Sequence, residues 1–356
     1  MPCQSNERTR RVISHAIGAL LLPWSLAVSQ AATAAPAKSS VPSVDQDLLF
    51  ISFGVLAADS MEGRLAGAPG GARARKYLAS MLEQIGVEPL VKGFTMQFSA
   101  RSRVKEGPTS SPVATQGRPG FMGGVGRQTH TKDSTANFRG IDGANLLAVV
   151  RGTEHPQRYI VVSAHYDHLG PGFNGADDNA SGTAAILAIS EWAHAHPPQN
   201  SIIFAFFDAE EEGLLGSRAF FDKLPVPIDS IILDVNLDMV SRNENGELYA
   251  AGTFKWHAER PMLDSVAALH LVNLRFGHDS PGVADWSRRS DMAPFDERHI
   301  PFVHFGVEEH PDYHRPSDRP EKVQPAFFYH SVLTAAAFIH LADASLDIIA
   351  KERHSK

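Results

Sequence analysis

The sequence predicts an α/β fold, a three-layer sandwich in which helices flank a mostly parallel, mixed central sheet. Strand-like apolar runs alternate with helical segments from Asn145 to the C-terminal region. These runs are apolar throughout rather than alternately polar, which is typical of strands whose two faces are both covered. The strands should therefore lie between two layers of helices.

An N-terminal signal for export is predicted over residues 1–34. Arginines come first, an apolar stretch follows over residues 12–28, and small residues then permit cleavage after Ala31 or Ala34, of which we prefer Ala34. The alternative is a membrane anchor, but His15 and Pro23 interrupt the apolar run. We therefore expect an exported protein, periplasmic or secreted, with no membrane attachment after signal cleavage.

The mature chain is expected to be a single domain over residues 47–350, preceded by a polar linker at residues 35–46. The only cysteine, Cys3, lies inside the signal segment. The mature chain should therefore have no disulfide, and any zinc site must use His, Asp and Glu. The formal net charge of -7 argues against a nucleic-acid-binding surface. The sequence gives no indication of the oligomeric state.

Apolar periodicity predicts the elements of the N-terminal part. Helices are expected over residues 47–58 and 72–85, the second with Gly86 as its C-cap. A strand is expected over residues 90–100. Residues 101–142 are rich in Gly, Ser, Thr, Arg and Pro without periodicity, which indicates a loop-rich insertion. Such a segment is either a surface loop without a role or a cover over a functional site.

From Ala144 onward, predicted strands and helices alternate regularly. The predicted strands are residues 145–152, 159–167, 201–207, 230–240 and 300–307. The predicted helices are residues 181–194, 213–224, 258–270 and 325–350. Parallel strands end at the same edge of a sheet, so we expect the side chains that follow these strands to meet there.

Five segments at the predicted strand ends carry side chains that bind metals or transfer protons. They are SAHYDHLG (His165, Asp167), NGADDNASGTAA (Asp177, Asp178), DAEEEGLLGS (Glu210, Glu211), NLDM (Asp238) and HPDYHRPSD (His310, His314, Asp318). Each has an ordinary structural explanation, such as helix capping for the aspartates or a solvated acidic turn for the glutamates. Together they predict a metal centre, because buried carboxylates require cationic partners.

The residues alone leave two of these assignments open. Asp177 and Asp178 are adjacent, and either has a carboxylate that can bridge two cations. Asp234 competes with Asp238, because both acids interrupt the same apolar strand. Asp167 is easier to place, since it is on the same strand face as His165 and can orient a ligand histidine.

In this order, the five segments resemble the di-zinc aminopeptidase family. That family also contains relatives of glutamate carboxypeptidase II, the transferrin-receptor ectodomain and the glutaminyl cyclases. The resemblance extends from MEGRLAG near Met61 to the C-terminal helix. It implies a hydrolase that removes N-terminal residues from peptides.

The resemblance implies a role for each residue of the predicted centre. Five residues would bind two zinc ions: His165, Asp178, Glu211, Asp238 and His314. Asp178 would bridge the two ions, Glu210 would be the general base for a metal-bridging hydroxide, and Asp167 would orient His165. Manganese or cobalt could replace zinc, because oxygen and nitrogen ligands suit these ions as well.

Other activities on the same fold remain as alternatives. A carboxypeptidase or dipeptidase would need a cation for the substrate carboxylate, and residues 101–142 contain several arginines. A glutaminyl cyclase would use one zinc. A catalytically dead binding ectodomain is disfavoured because every ligand position is filled. The chain departs from many bacterial relatives at Met292, where their Ser-Asp-His-x-Pro-Phe segment near the substrate pocket has His, so the change concerns specificity.

Overall fold

A mixed sheet of nine strands lies at the centre of the part of the chain described by the computed structural model, residues 41–103, 138–280 and 284–356. The strands are β1 (Glu88–Pro89), β2 (Thr95–Arg103), β3 (Phe138–Val150), β4 (His155–His165), β5 (Asn200–Phe207), β6 (Ile231–Leu237), β7 (Glu247–Ala251), β8 (Asn273–Phe276) and β9 (Phe302–Gly306). Their order in the sheet is β1-β3-β5-β4-β6-β9-β7-β8, with β2 also paired to β3.

Helices surround this sheet. They are α1 (Gln46–Leu56), α2 (Pro69–Ile85), α3 (Gly182–Ala195), α4 (Leu215–Asp222), α5 (Arg260–Ala267), α6 (Ala293–Asp296), α7 (Pro325–Ala344) and α8 (Leu346–Ser355). A six-residue helical turn, Ala176–Ser181, leads directly into α3. Strands β5, β4, β6 and β9 are parallel neighbours, whereas β3 and β7 flank them in the antiparallel direction. A mixed sheet with a parallel centre was predicted and is confirmed.

Alternate side chains of the central strands pack against different helix layers. Val162 and Phe204 belong to the same apolar cluster as residues of α1, α2, α3 and α7. Val161 and Ile203 lie on the opposite face and pack in a cluster with residues of α4 and α6. Complete burial of one such side chain stabilises the fold by about 1.5–3 kcal/mol. Since both faces are covered, the three-layer prediction is confirmed.

The first two helices have the end signals that their sequences indicate. The Asp45 carboxylate accepts a hydrogen bond of 3.0 Å from the backbone N–H of Leu48 and caps the start of α1. Helix α2 ends at Gly86, which has a φ of 87° and provides the left-handed C-cap predicted from the sequence.

The predicted boundaries of the loop-rich insertion are wrong at both ends. Strands β2 and β3 form a long antiparallel ladder that extends to the pair Arg103 and Phe138, so residues 101–103 and 138–142 are strand rather than loop. Gly140 and Asp142 are of residue types that are depleted in strands, and the pairing of β2 with β3 overrides that weak preference. The remainder of the predicted insertion, residues 104–137, and the predicted signal segment, residues 1–34, lie outside the described residues.

Two further expectations need correction. Strands β7 and β8 were not predicted, because with only 5 and 4 residues they are too short for a period-two pattern to be distinguished from chance. The predicted C-terminal helix over residues 325–350 is two helices, α7 and α8, separated at Ser345. Among the described residues, α7 is the one helix long and apolar enough to cross a membrane, and many of its side chains pack in the main apolar cluster.

Candidate metal centre

Three adjacent parallel strands, β5, β4 and β6, position the first group of candidate residues. Strand β4 ends at His165, β5 ends just before Glu210 and Glu211, and β6 ends one residue before Asp238. Because β5, β4 and β6 are adjacent and run in the same direction, the side chains that follow them lie at one edge of the sheet.

Asp178 reaches this edge from the turn that precedes α3. The turn starts at Gly175, which has a positive φ of 55°, and a Cβ atom there would lie 2.4 Å from the His168 ring. The Asp318 carboxylate accepts hydrogen bonds of 3.1 Å from the backbone N–H groups of Asp177 and Asp178. These contacts fix the backbone so that Asp178 projects toward the strand ends.

His314 completes the arrangement from the long loop after β9. Its backbone has a φ of 54°, and its ring stacks on Tyr313 with 3.9 Å between the ring centroids. The His314 side chain is 35% exposed, whereas that of His165 is 1% exposed. The site is therefore closed at His165 and accessible from the His314 side.

The two carboxylate oxygens of Asp178 face two different histidines. Oδ1 lies 3.4 Å from Nε2 of His165, and Oδ2 lies 3.0 Å from Nε2 of His314. Asp238 Oδ1 is 3.4 Å from the same nitrogen of His165, and Glu211 Oε2 is 3.2 Å from that of His314. Two groups of three ligands thus share one carboxylate.

These separations fit two tetrahedral zinc ions. Bonds of about 2.0–2.1 Å place neighbouring ligand atoms about 3.3 Å apart around such an ion. The observed ligand separations are 3.0–3.4 Å. In addition, Oδ1 of Asp238 is buried and has no hydrogen-bond partner among the described residues, which is an arrangement that a cation would satisfy. The structure therefore brings together all five residues predicted as ligands.

Asp167 connects the predicted base to the predicted ligand. Its Oδ1 accepts a hydrogen bond of 3.0 Å from the backbone N–H of Glu210 and lies 3.5 Å from Nδ1 of His165. The same nitrogen of His165 is 3.2 Å from the backbone carbonyl oxygen of Asp167. Asp167 can therefore orient His165 through both its carboxylate and its main chain.

The neighbouring charges and burial shift the pKa values of His165 and Glu210. Burial alone would lower the pKa of His165, but the charges of Asp238 and Glu210 outweigh burial and raise this pKa well above its usual value. Burial also raises the pKa of Glu210 well above that of an ordinary glutamate, and the neighbouring Glu211 charge adds to the effect. Such shifts are common for acid–base groups in active sites.

Asp234 and Asp177, the two alternative ligands from the sequence, are held by hydrogen bonds instead of facing the candidate metal centre. The Asp234 carboxylate is buried inside β6 and accepts a hydrogen bond of 2.9 Å from Ser163 Oγ. Asp177 lies beside Asp178 but turns away, and its Oδ1 accepts hydrogen bonds of 2.8 and 2.7 Å from the backbone and the hydroxyl of Ser241. Nε2 of His310 contacts the other oxygen of Asp177 at 3.1 Å.

Two residues that the sequence reasoning did not single out belong to the site. His168 is fully buried, and its Nδ1 lies 2.7 Å from Oε1 of Glu211. Arg64 is also buried, and its guanidinium donates hydrogen bonds to the backbone carbonyls of Tyr166, Asn174 and Gly175, which hold the loop before Asp178. The signals for both were present, in SAHYDHLG and in MEGRLAG, but the function of neither residue follows from spacing.

A comparison with protein families decides the classification. The model of peptidase family M28 matches residues 145–339, which is more than half of the chain and includes every predicted ligand. The chain belongs to peptidase family M28. The resemblance drawn from the five segments is thereby confirmed, although MEGRLAG lies before the matched residues.

Curated M28-like relatives are similar over part of their length. Aminopeptidase YwaD of Bacillus subtilis is 29% identical over 214 residues, which are 55% of this chain and 44% of the relative. Aminopeptidase NAALADL1 of Rattus norvegicus is 32% identical over 167 residues, which are 41% of this chain and 21% of the relative. The chain thus spans less than half the length of these relatives.

Solved structures share the fold at low sequence identity. A zinc aminopeptidase from Bacillus subtilis has a TM-score of 0.64 and 17% identity, with 85% of this chain and 96% of that chain covered. A glutaminyl cyclase from Fimbriiglobus ruber has a TM-score of 0.60 and 18% identity, with 86% and 99% covered. Since the fold serves both activities, the site must distinguish them.

Proposed function

We propose that this M28 protein is a zinc-dependent aminopeptidase that removes N-terminal residues from peptides with two zinc ions per chain. The observation that carries the proposal is the position of Asp178, whose two oxygens face His165 and His314 at 3.4 and 3.0 Å. A carboxylate in this position can bridge two cations. The zinc and aminopeptidase descriptions of the similar proteins support the same activity.

When bound, two zinc ions would supply the Lewis acid that polarises the peptide carbonyl and activates water. The chain itself must then move a proton. Glu210 is the residue for this step, because its carboxyl group is partly buried beside the ligands and its backbone is held by Asp167. Glu210 would accept the proton of the attacking water and return it to the leaving amine.

The peptide must approach from the accessible side of the centre. His314 and Tyr313 lie on that side, and burial with the nearby Asp178 charge raises the pKa of Tyr313. The Tyr313 hydroxyl therefore stays protonated at neutral pH. It can donate a hydrogen bond to the oxygen that gains negative charge during the reaction.

A digestion of defined peptides tests the activity. Zinc-loaded protein would be incubated with one peptide in three forms, namely unblocked, acetylated at the N-terminus and amidated at the C-terminus, and the products would be read by mass spectrometry. We expect stepwise loss of N-terminal residues from the unblocked and amidated forms, and no reaction with a chelator. Release from the C-terminus would instead identify a carboxypeptidase.

The zinc content separates the remaining alternatives. We expect two zinc ions per chain by elemental analysis. One zinc with cyclisation of N-terminal glutamine and no peptide cleavage would identify a glutaminyl cyclase. A protein that binds no zinc and cleaves no peptide would be a binding ectodomain.

We also propose that the protein is exported to the periplasm or beyond the cell. The support is the sequence of residues 1–34, with arginines, an apolar stretch and small residues before Ala34. The N-terminal sequence of protein recovered from the periplasm or medium should begin after Ala34. Retention of full-length chain in the membrane fraction would identify an anchor instead.

A further inference from the structure

A small cavity opens beside Asp238, next to the candidate metal centre. Its volume is about 60 Å³. The walls include Met239, Trp286, His304, Val307 and Tyr313, and all of these except Tyr313 are buried. Tyr313 also stacks on His314, so the walls of the cavity include one candidate ligand, Asp238, and the neighbour of another, His314.

Trp286 forms a wall that is fixed by its neighbours. Its ring stacks on His278 with centroids 3.8 Å apart and an angle of 5° between the planes. The Trp286 ring also forms edge-to-face pairs with Tyr249 and His304, with ring centroids 5.6 and 5.9 Å apart. Moving the indole to enlarge the cavity would break all three contacts, and densely packed aromatic clusters resist such displacement.

Two buried polar residues, His304 and Ser290, line the cavity beside Asp238. Nδ1 of His304 contacts Oδ1 of Asn236 at 2.7 Å, and burial lowers the pKa of His304 to about 4, so the ring is neutral at pH 7. Nδ1 is then the donor to Asn236, and Nε2 is left as an acceptor. Ser290 also lines the cavity, but its hydroxyl oxygen is buried in the wall.

The mouth of the cavity carries an ion pair. Arg289 and Glu309 contact each other there, with side chains 50% and 51% exposed. Because the two charges are opposite, this pair adds no net charge to the mouth of the cavity. A charged side chain would have to break this pair in order to enter.

The size of the cavity limits what it can hold. An apolar cavity that takes a benzene molecule has a volume of about 150 Å³. The present cavity, at about 60 Å³, is less than half of that. It can hold a methyl or hydroxymethyl group but neither a phenyl ring nor a full isobutyl group.

We propose that this cavity binds the side chain of the N-terminal residue of the substrate and selects small, uncharged residues, alanine and serine above all. The inference rests on the proposed aminopeptidase function. A peptide whose scissile carbonyl lies at the metal centre would place its first side chain beside Asp238, and Trp286 and Val307 would set the length limit. Nε2 of His304 provides an acceptor for the serine hydroxyl.

The test uses four substrates with one leaving group, the 7-amido-4-methylcoumarin derivatives of Ala, Ser, Leu and Phe. We expect kcat/KM for Ala and Ser to exceed that for Leu and Phe by at least about tenfold, because one misfitting methylene changes this ratio by roughly 10–200-fold. Val307→Ala and Trp286→Leu should each raise kcat/KM for Leu relative to Ala. Ile348→Ala, at an exposed position of α8, is the matched control and should leave the ratio unchanged.

Zinc content and melting temperature of each variant show whether it is folded and loaded. If Trp286→Leu does not fold, Val307→Ala still tests the proposal, because it removes less of the wall. Zinc-dependent hydrolysis that favours Leu or Phe in the wild type would overturn the small-residue inference and leave the aminopeptidase function intact. An unchanged Leu-to-Ala ratio in folded Val307→Ala would likewise overturn it. Zinc-loaded protein that hydrolyses none of the four substrates would overturn the aminopeptidase function and this inference with it.

Discussion

Nδ1 of His168 lies 2.7 Å from Oε1 of Glu211, although its N–H does not point straight at that oxygen. The distance is that of a hydrogen bond and is shorter than the separation of about 3.3 Å between two ligands of one zinc ion. The other oxygen of Glu211 faces His314 at 3.2 Å. His168 therefore contacts one oxygen of Glu211 and leaves Oε2, the other oxygen, facing His314.

Replacement of His168 should weaken the binding of the second zinc ion. His168→Leu removes the contact with Glu211, and loss of such a supporting contact typically lowers metal affinity by about 10–100-fold. His168→Asn can place an amide nitrogen near the position of Nδ1 and should retain most of the affinity. A competition titration with a chromophoric chelator measures both values.

The exposed His340 provides the control for this pair of variants. His340→Leu should bind two zinc ions with wild-type affinity. Wild-type affinity in folded His168→Leu would show that Glu211 is held without His168.

Glu210→Gln should retain zinc and lose activity. The substitution keeps the shape of the side chain but removes the group that accepts the proton, and general base catalysis contributes about 10²–10⁴-fold to the rate. The rate of peptide hydrolysis and the zinc content should be measured on the same sample. Glu212→Gln is the matched control, because Glu212 contacts Ser102 and Arg139 instead of the centre, and it should retain most of the activity. Near-normal turnover in Glu210→Gln would remove Glu210 from the role of base.

His314→Ala and Asp238→Ala should each lose zinc. Each removes one ligand from a different group of three, so we expect about one zinc ion per chain in place of two, with a lower melting temperature. Binding of an ion to the folded state alone stabilises it by about 2.7 kcal/mol when the ion is at one hundred times its dissociation constant. Elemental analysis measures the zinc content of each variant. Two zinc ions per chain in either variant would refute the assignment of that residue as a ligand.

The stability of the protein should fall in acid partly because of His304. Burial lowers the pKa of His304 to about 4 in the folded state, compared with 6.5 in the unfolded chain. Between pH 6.5 and 4 the unfolded chain binds a proton that the folded protein excludes, so the free energy of unfolding decreases as the pH falls through this range. The difference corresponds to about 3 kcal/mol at most.

Urea unfolding at pH 7 and pH 4.5 checks this expectation. His304→Asn loses contacts at both pH values but should lose less stability than the wild type on acidification. His340→Asn should behave like the wild type. An equal acid-induced loss in wild type and His304→Asn would show that His304 does not contribute.

The sequence predicted the helix–strand alternation well because the central strands are apolar on both faces. It failed where tertiary pairing overrides weak local preference. Residues 138–142 of β3 pair with β2, and the four-residue β8 pairs with β7 although it is too short to be recognised from its own sequence. Ser345 divides the predicted C-terminal helix, although the surrounding residues favour helix on both sides.

The ligand types and their order along the chain were set by the sequence, since its one cysteine is Cys3 and a zinc site at the predicted strand ends must use His, Asp and Glu. The choice among neighbouring acids was left to the tertiary structure. Hydrogen bonds from Ser241 and Ser163 hold Asp177 and Asp234 in structural roles, whereas Asp178 and Asp238 face His165. The contact of His168 with Glu211 and the narrow cavity beside Trp286 likewise depend on packing between segments far apart in the chain. Linear spacing does not encode such contacts, because they arise only when distant elements meet at one edge of the sheet.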